Sequence, residues 1–535
     1  MKKYDSLGQQ APPVLTGLFF FLLFLYPIFS FFWRRSYPLL SSEFTVFLIL
    51  GMVFSGLIVV FFARIGVPSI HMITSLFVTI VVLIQFNPGW WAVLVSFALS
   101  FVLAWRLKAR LYSLGPPVLI ALILGAYVDS FQNDNFDRTN QGLTQVNRDL
   151  PPVLHIILDS FIGLDGLPAY SATEIIKEEA YHIFEDYGFR VYPRAYSRYS
   201  STVDSLYKAM NFRNDDYGNY FLEKATQRKH IMRTNALFDV LKRLGYRFNV
   251  YQTSHLDFCQ SHVEKVDRCW TYAHPNVHSV REAGGLLTRV SMLSRVILMQ
   301  SSVLAKAVKQ WPVDPMVAVH DPLIFSNLQD DLFANPGGYT FLAHVLLPHN
   351  PFVYLHDCSV DYSTAPSMRA ARTTLSQNEA PGAAEVHEYR TMRYFEQMEC
   401  ALLSLKNIFD EMKVRGMFEK SIIVLHGDHG SGMTRYPPNI VYHDKLTWED
   451  YRANYSTLFA VKIPGHGFAI DKRALPLEVL LENYSTDIER LLQRQEVPSG
   501  TESTSTPMEV DKPEQFIYLD GPFLKRVDVN LFEKE

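Results

Sequence analysis

The chain lacks a dominant charge of either sign. Its 535 residues carry 50 lysines and arginines against 54 aspartates and glutamates, for a net charge of −4. With a pI near 6.5 there is no basic footprint for nucleic acid. Cysteine is scarce: only Cys259, Cys269, Cys358 and Cys400 occur, and none precedes residue 259. No internal repeat is visible, which excludes a solenoid or propeller assembled from copies of one unit. The first apolar run is followed by no small-residue cleavage site, so it does not read as a removed signal peptide.

Apolar sequence is plentiful and unevenly spread. It makes up 48% of the chain, an ordinary share, but long apolar runs crowd into residues 12–131. We read five membrane spans there, at 13–33, 43–63, 69–87, 90–106 and 116–131, the last two near the lower length limit. A soluble helical bundle is the alternative, and runs apolar on all sides disfavour it. Basic residues set the expected orientation. Lys2, Lys3, Arg64, Arg106, Lys108 and Arg110 share one side if the amino terminus is cytoplasmic, whereas Arg34 and Arg35 fall on the other. An odd number of spans places the rest of the chain outside the cytoplasm. The cysteines agree, because an even number in an exported domain suggests two disulfides. Cys259 with Cys269 would close a short loop, and Cys358 with Cys400 would tie a loop to a later helix. Sequence does not fix that connectivity.

The expected organisation is a transmembrane domain over 1–130, a polar juxtamembrane linker over 131–150 and an extracytoplasmic domain over 151–535. In the last, strand-like segments (153–158, 247–251, 339–346, 421–426 and 458–462) alternate with helical ones such as 235–244 and 385–413. Alternation of this kind predicts an α/β fold, a mostly parallel sheet sandwiched by helices. Residues 496–513 read as a loop, and FIYL at 516–519 as a late strand.

The most informative stretch is SIIVLHGDHG, 421–430. Its β-branched apolar run suits a strand buried on both faces. Asp428 and His429 at its carboxyl end can turn together onto one divalent cation, and the flanking glycines permit a tight turn. The plain alternative is a glycine-rich loop with a surface Asp-His pair. VLHIIL ends in Asp159, a carboxylate at the ligand-binding edge of such a sheet, although many strands end in Asp. In SRYSSTVDSLYKAMNF, 197–212, several hydroxyls precede a helical pattern. Thr202 near that helix start would meet a phosphate at the positive end of the dipole, and simple capping by Ser200, Ser201 or Thr202 is the commoner use. The turn Pro348-His349-Asn350-Pro351 would hold an imidazole for substrate binding, proton donation or a second metal. His344, inside the preceding strand, reads as a satisfied core histidine. Arg435 could grip a phosphate, with a surface arginine equally compatible.

In series, VLHIILDS, SSTVDSLYKAMN, the PHNP turn, SIIVLHGDHGSGM and NYSTLFAVKIPG resemble the alkaline phosphatase and sulfatase superfamily across 151 to about 465. Within it the chain is similar to the membrane-anchored transferases: lipoteichoic acid synthases, phosphoglycerol transferases and phosphoethanolamine transferases. The resemblance implies Asp159, Thr202, Asp428 and His429 as metal ligands, with Thr202 also the nucleophile. It implies His349 on the substrate side and a divalent cofactor, Zn²⁺ or Mn²⁺, with Mg²⁺ as an alternative. Ser201 is the competing hydroxyl, and the match to the family's threonine favours Thr202. The implied reaction moves phosphoglycerol or phosphoethanolamine from a phospholipid donor to an envelope glycan or lipid acceptor, with no nucleic-acid partner. The implied setting is a bacterial inner membrane, multi-pass, with the catalytic domain facing the periplasm or exterior. A membrane-anchored phosphodiesterase or phosphatase is the second reading, and a non-catalytic scaffold the third. Two departures stand out. Asp159 replaces the glutamate usual in these transferases, and no Cys/Ser-x-Pro-x-Arg signature surrounds Thr202, which disfavours sulfate-ester hydrolysis.

Overall fold

The computed structural model describes residues 12–34, 37–64, 67–86, 90–107, 109–130, 137–139, 146–168, 171–213, 221–222, 230–253, 255–262, 264–272, 285–299, 321–350, 352–359, 383–434, 436–496, 516–519 and 525–532. The chain divides into two units. One comprises residues 1–135 with 275–316, and the other 136–274 with 317–535.

The first unit is helical: α1 (Pro13–Arg34), α2 (Ser42–Phe62), α3 (Val67–Phe86), α4 (Trp90–Leu107) and α5 (Ala109–Ser130). Five spans were expected. Among the described residues two stretches, Pro13–Trp33 and Ser42–Phe62, are long and apolar enough to cross a membrane. The apolar parts of the other three, His71–Gln85, Val93–Leu107 and Arg110–Ile123, fall short of the roughly 20 residues that a hydrocarbon core requires. The fifth helix also starts earlier than the expected span and carries Pro116 and Pro117 within it. A later helix, α9 (Leu286–Met299), joins this unit. It packs on α2, and Arg289 Nε pairs with Glu43 Oε1 at 2.6 Å.

The second unit is built on a nine-stranded sheet. Its strands are β1 (Asp137–Thr139), β2 (Val153–Leu158), β3 (Arg190–Val191), β7 (Arg247–Thr253), β9 (Val266–Tyr272), β10 (Tyr339–Val345), β11 (Ile422–Gly427), β12 (Phe459–Lys462) and β13 (Ala469–Ile470). The numbers between belong to short pairings: β4 (Ala195–Tyr196) with β14 (Leu475–Pro476), β5 (Phe221–Leu222) with β6 (His230–Met232) and β8 (Leu256–Asp257), and the hairpin β15 (Phe516–Leu519) with β16 (Lys525–Asp528). The order is β1-β9-β7-β10-β2-β11-β12-β3-β13. The sheet is mixed: β9, β7, β10, β2 and β11 run parallel, while β1 and β12 pair antiparallel to their neighbours. Part of the expected linker thus forms an edge strand.

Strand β2 alternates between two cores because successive side chains face opposite ways. Leu154, Ile156 and Leu158 pack with α6 (Ser171–Asp186), α10 (Asp321–Ala334) and α11 (Ala383–Val414). Val153 and Ile157 pack with α7 (Thr202–Met210), α8 (Ala236–Arg243) and α13 (Leu477–Glu496). The helices end where the sequence predicts. Gly245 after α8 and Gly416 after α11 adopt φ of +95° and +66°, conformations that cost a glycine little. Cys259 pairs with Cys269 and Cys358 with Cys400.

Several histidines are buried in the second unit. His262 is packed against the Phe238 ring, and burial together with Lys265 pushes its pKa down to about 4. A histidine kept neutral in the fold takes up its proton first in the unfolded chain. Stability should therefore be full above pH 6.5 and decline as pH falls toward 4, by at most about 1.4 kcal/mol per pH unit from this group. Urea unfolding at a series of pH values should show that slope, and His262→Gln should flatten it. An identical slope in the variant would refute the assignment.

Candidate metal centre and active site

Register creates the site. Leu158 aligns with Val345 on one side and with Gly427 on the other, so the parallel strands β10, β2 and β11 end at one level. The residues that follow, Asp159, the turn at 346–350 and Asp428-His429, share that edge. Asp159 and Asp428 are both buried there. Gly427 and Gly430 are required by close approach. A Cβ on Gly427 would collide with Thr457 and Phe161, and one on Gly430 with Ala453 and Asn454.

The backbone fixes the carboxylates. Ser160 adopts φ of +64°, unusual for a non-glycine residue, and its N–H donates to Asp428 Oδ1 at 2.7 Å. The His429 N–H donates to the same oxygen at 2.9 Å. The Ser160 carbonyl accepts from Tyr394 Oη at 2.8 Å, which holds the strained residue from α11. Asp428 Oδ2 is buried with no hydrogen-bond partner. His429 Nδ1 lies 2.8 Å from the Gly430 carbonyl, so the proton is assigned to Nδ1 and the lone pair to Nε2. That Nε2 is 3.4 Å from Asp428 Oδ2 and 4.0 Å from Asp159 Oδ1.

Thr202 is the first residue of α7 and buried. Its Oγ1 lies 3.4 Å from Asp159 Oδ2 and 3.5 Å from His429 Nε2. Ser201 differs in role: its Oγ donates to Asp204 Oδ2 at 2.6 Å. The hydroxyl-rich segment has a further use, since Ser205 Oγ donates to the Asp428 carbonyl at 2.5 Å and clamps α7 to the metal turn.

Asp159, Thr202, Asp428 and His429, the residues expected as metal ligands, therefore lie close together at the sheet edge. Ligands at about 2.0 Å from a tetrahedral cation are separated by about 3.3 Å. Three of the separations among these four residues are 3.4–3.5 Å, and Asp428 Oδ2 otherwise has no partner. The residues fit a divalent cation, with oxygen and imidazole donors suited to Zn²⁺ or Mn²⁺.

Two residues were not read from the sequence. His344 was expected to be a satisfied core histidine. It is buried, but neither ring nitrogen has a hydrogen bond, and Nε2 lies 3.4 Å from Asp159 Oδ2. Asp159, His344 and Asp428 each bring one ligand atom within 4.8 Å of the others. Period-two alternation could have placed His344 on the same face as Ile157 and Asp159. Burial alone would raise the Asp159 carboxyl, but His349, His344 and His429 together hold it well below the usual carboxylate range. The second is Gln397. Its Nε2 donates to the carbonyls of Pro348 and His349, each at 3.1 Å, and its Oε1 accepts from Val353 and Tyr354 N–H. It holds the turn that carries His349, and no local sequence signal marks it. Arg435 lies outside the described residues.

Beneath the site, His155 and His426 form a buried pair with Nε2 atoms 2.7 Å apart. His426 Nδ1 faces the Gly427 carbonyl at 2.7 Å. Burial lowers both pKa values, that of His426 to about 4. Both rings are thus neutral, with His155 the donor of the pair.

The Sulfatase family profile matches residues 153–457, more than half of the chain. The chain belongs to that family, within the alkaline phosphatase and sulfatase superfamily. Among solved structures, it is similar to the phosphonate monoester hydrolase SpPMH of Silicibacter pomeroyi, at 13% identity over 69% of this chain and 80% of that one, TM-score 0.40. It is also similar to the zinc complex of the C-terminal periplasmic domain of EcEptC from Escherichia coli, at 13% identity over 64% and 84%, TM-score 0.39. A third is the lipoteichoic acid synthase LtaP of Listeria monocytogenes, at 13% identity over 61% and 71%, TM-score 0.32. No curated protein matches the chain significantly.

Asp428→Asn should lower metal affinity by about 100-fold or more while the fold survives, since it strips one charge from the ligand set. Gln397→Ala should leave metal content intact and slow turnover by roughly 10-fold by loosening His349. Elemental analysis beside thermal melting checks metal content and fold in both variants, and a rate measurement checks turnover in Gln397→Ala. Full metal in Asp428→Asn would refute the site.

Proposed function

We propose that the protein is a membrane-anchored phosphotransferase that carries a phospholipid-derived phosphoglycerol or phosphoethanolamine group on Thr202 to an envelope glycan or lipid. One observation carries this reading. A buried threonine hydroxyl sits at the amino end of a helix, within 3.5 Å of both a carboxylate and an imidazole of the candidate metal centre. A structural capping residue has no need of such neighbours. The amino end of α7 favours the phosphate anion of the phosphodiester that would form on Thr202.

A bound divalent cation would lower the pKa of the Thr202 hydroxyl and offset charge on the phosphoryl oxygens. With Thr202 ionised, Oγ1 bonds to phosphorus, and the bond from phosphorus to the diacylglycerol oxygen breaks. His349 gives that leaving oxygen its proton. In the second half-reaction an acceptor hydroxyl returns a proton to His349 and its oxygen takes phosphorus from Thr202. Water in place of the acceptor would make the same machinery a hydrolase. Ser205 and Tyr394 take no part in proton movement and hold the two carboxylate turns in register. The two long apolar helices would keep the site near an insoluble donor, raising its effective concentration. The bacterial inner membrane, with this unit on the periplasmic or outer side, is the setting that suits that donor.

Purified full-length protein, loaded with Zn²⁺ or Mn²⁺, should release diacylglycerol from labelled phosphatidylglycerol or phosphatidylethanolamine. Peptide mass mapping should find the head group on Thr202. Thr202→Ala should reduce turnover by roughly 10³-fold or more. A modified Ser201, or wild-type turnover in Thr202→Ala, would overturn the nucleophile assignment.

A further inference from the structure

Behind the metal turn lies an open cavity of about 450 Å³ that the proposed reaction does not use. That volume falls in the range of small-ligand sites, roughly 300–1,000 Å³. Its walls come from α11, the loop after the metal turn and α12 (Trp448–Tyr455).

The chemistry of the walls narrows the ligand. Three aromatic residues, Tyr394, Phe395 and Tyr436, line the cavity. Among them stand two cations, Lys445 and Arg452, and two anions, Glu449 and Asp450. Because these charges offset, the cavity has no net pull on a phosphate or carboxylate. Its walls instead mix donors and acceptors, with Asp450 Oδ2 also accepting from Thr447 in the helix cap, and a mixed lining suits a ligand rich in hydroxyls, each of which both gives and takes a hydrogen bond. Aromatic walls supply apolar area for the C–H faces of such a ligand. Arg452 is fixed in place: its guanidinium lies 4.3 Å over the Trp448 ring and Nη2 reaches the Leu167 carbonyl at 3.4 Å.

The cavity is also coupled to the catalytic edge. Ser431, two residues beyond His429, lines it, and Ser431 Oγ donates to the Ala453 carbonyl of α12 at 3.2 Å. The Gly430 N–H donates to the Asn454 carbonyl at 2.8 Å. Tyr394, a wall residue, bonds the Ser160 carbonyl. Whatever sits in the cavity touches both segments that carry the metal-site carboxylates.

We infer that this cavity binds an uncharged sugar unit of the acceptor, and so selects a carbohydrate for the proposed transfer. The inference rests on the phosphotransferase reading and adds to it the class of acceptor and the surface that holds it.

The test uses metal-loaded full-length protein in detergent and titrates it with maltose, cellobiose and, as the anionic control, inorganic phosphate. Calorimetry should detect at least one disaccharide at millimolar concentration. Arg452→Gln and Tyr436→Ala should each weaken that binding by 10-fold or more, whereas Asp428→Asn should not. Tyr436 is the second variant because its side chain is only partly buried, so a folding defect at Arg452 does not decide the outcome. Either disaccharide binding unchanged in both cavity variants, or no disaccharide binding to 50 mM, would overturn the inference. So would phosphate binding that is lost in the cavity variants and kept in Asp428→Asn. Diacylglycerol release from phosphatidylglycerol, measured on the same wild-type samples, reports separately on the phosphotransferase reading. Release without saccharide binding rejects the cavity alone, and saccharide binding without release rejects the reaction.

Discussion

Two carboxylates buried side by side repel each other, and both stay ionised only if positive charge or N–H donors face them. Asp159 and Asp428 are in that position because β2 and β11 run parallel and in step. Much of the surrounding structure serves this pair. Ser160 enters the left-handed region so that its N–H can face Asp428, and Tyr394 secures the carbonyl that this turn exposes. His344, His349 and His429 set imidazoles about Asp159. The donors still leave Asp428 Oδ2 with no partner. A divalent cation is the complement that such an edge lacks, and the edge stores its attraction for one in the fold itself.

Because both faces of the sheet contribute, the site is braced rather than perched on loops. From one side, α7 brings Thr202 and also Ser205, which bonds the Asp428 carbonyl. From the other, α11 brings Tyr394 to Ser160 and Gln397 to the His349 turn. The disulfide between Cys358 and Cys400 joins that same helix to the segment following the turn. Positional precision of this kind matters for catalysis, where an error of about 1 Å can cost roughly 100-fold in rate.

Sequence made the central strands legible for a physical reason. VLHIIL and SIIVLH are continuous apolar runs, which only strands covered on both faces tolerate, and each is followed at once by a carboxylate or by a glycine and then a carboxylate. The ends of α8 and α11 were legible because a glycine stands where a left-handed residue is required. The edge strand β1 and its neighbour β9 were not. In β9 buried and half-buried positions mix, and β1 is a polar triplet that reads as linker until a partner is known. His344 was expected to be satisfied, yet its ring nitrogens have no hydrogen bond, and a strand pattern alone does not separate a satisfied buried histidine from an unsatisfied one. Gln397 was invisible because its role depends on a turn nearly 50 residues earlier in the chain. Of the five apolar runs, two form helices among the described residues that are long and apolar enough to cross a membrane, and hydropathy by itself marks a buried helix and a spanning one alike.

The division of the chain bears on what the catalytic unit is. Residues 275–316, which the expected domain over 151–535 would include, group with the helical unit. Helix α9 buries Val290, Met292, Leu293 and Ile297, and its Arg289 meets Glu43 at the start of α2. The chain therefore passes between the units at 135–136, again at 274–275 and again at 316–317. A fragment beginning at residue 151 would keep that helix and lose α1, α2 and α3, against which it packs. It would expose an apolar face that the intact protein covers, and a half-buried arginine without its carboxylate. The helical unit is accordingly not made from the first 135 residues alone, because residues 275–316, from within the later part of the chain, supply part of it.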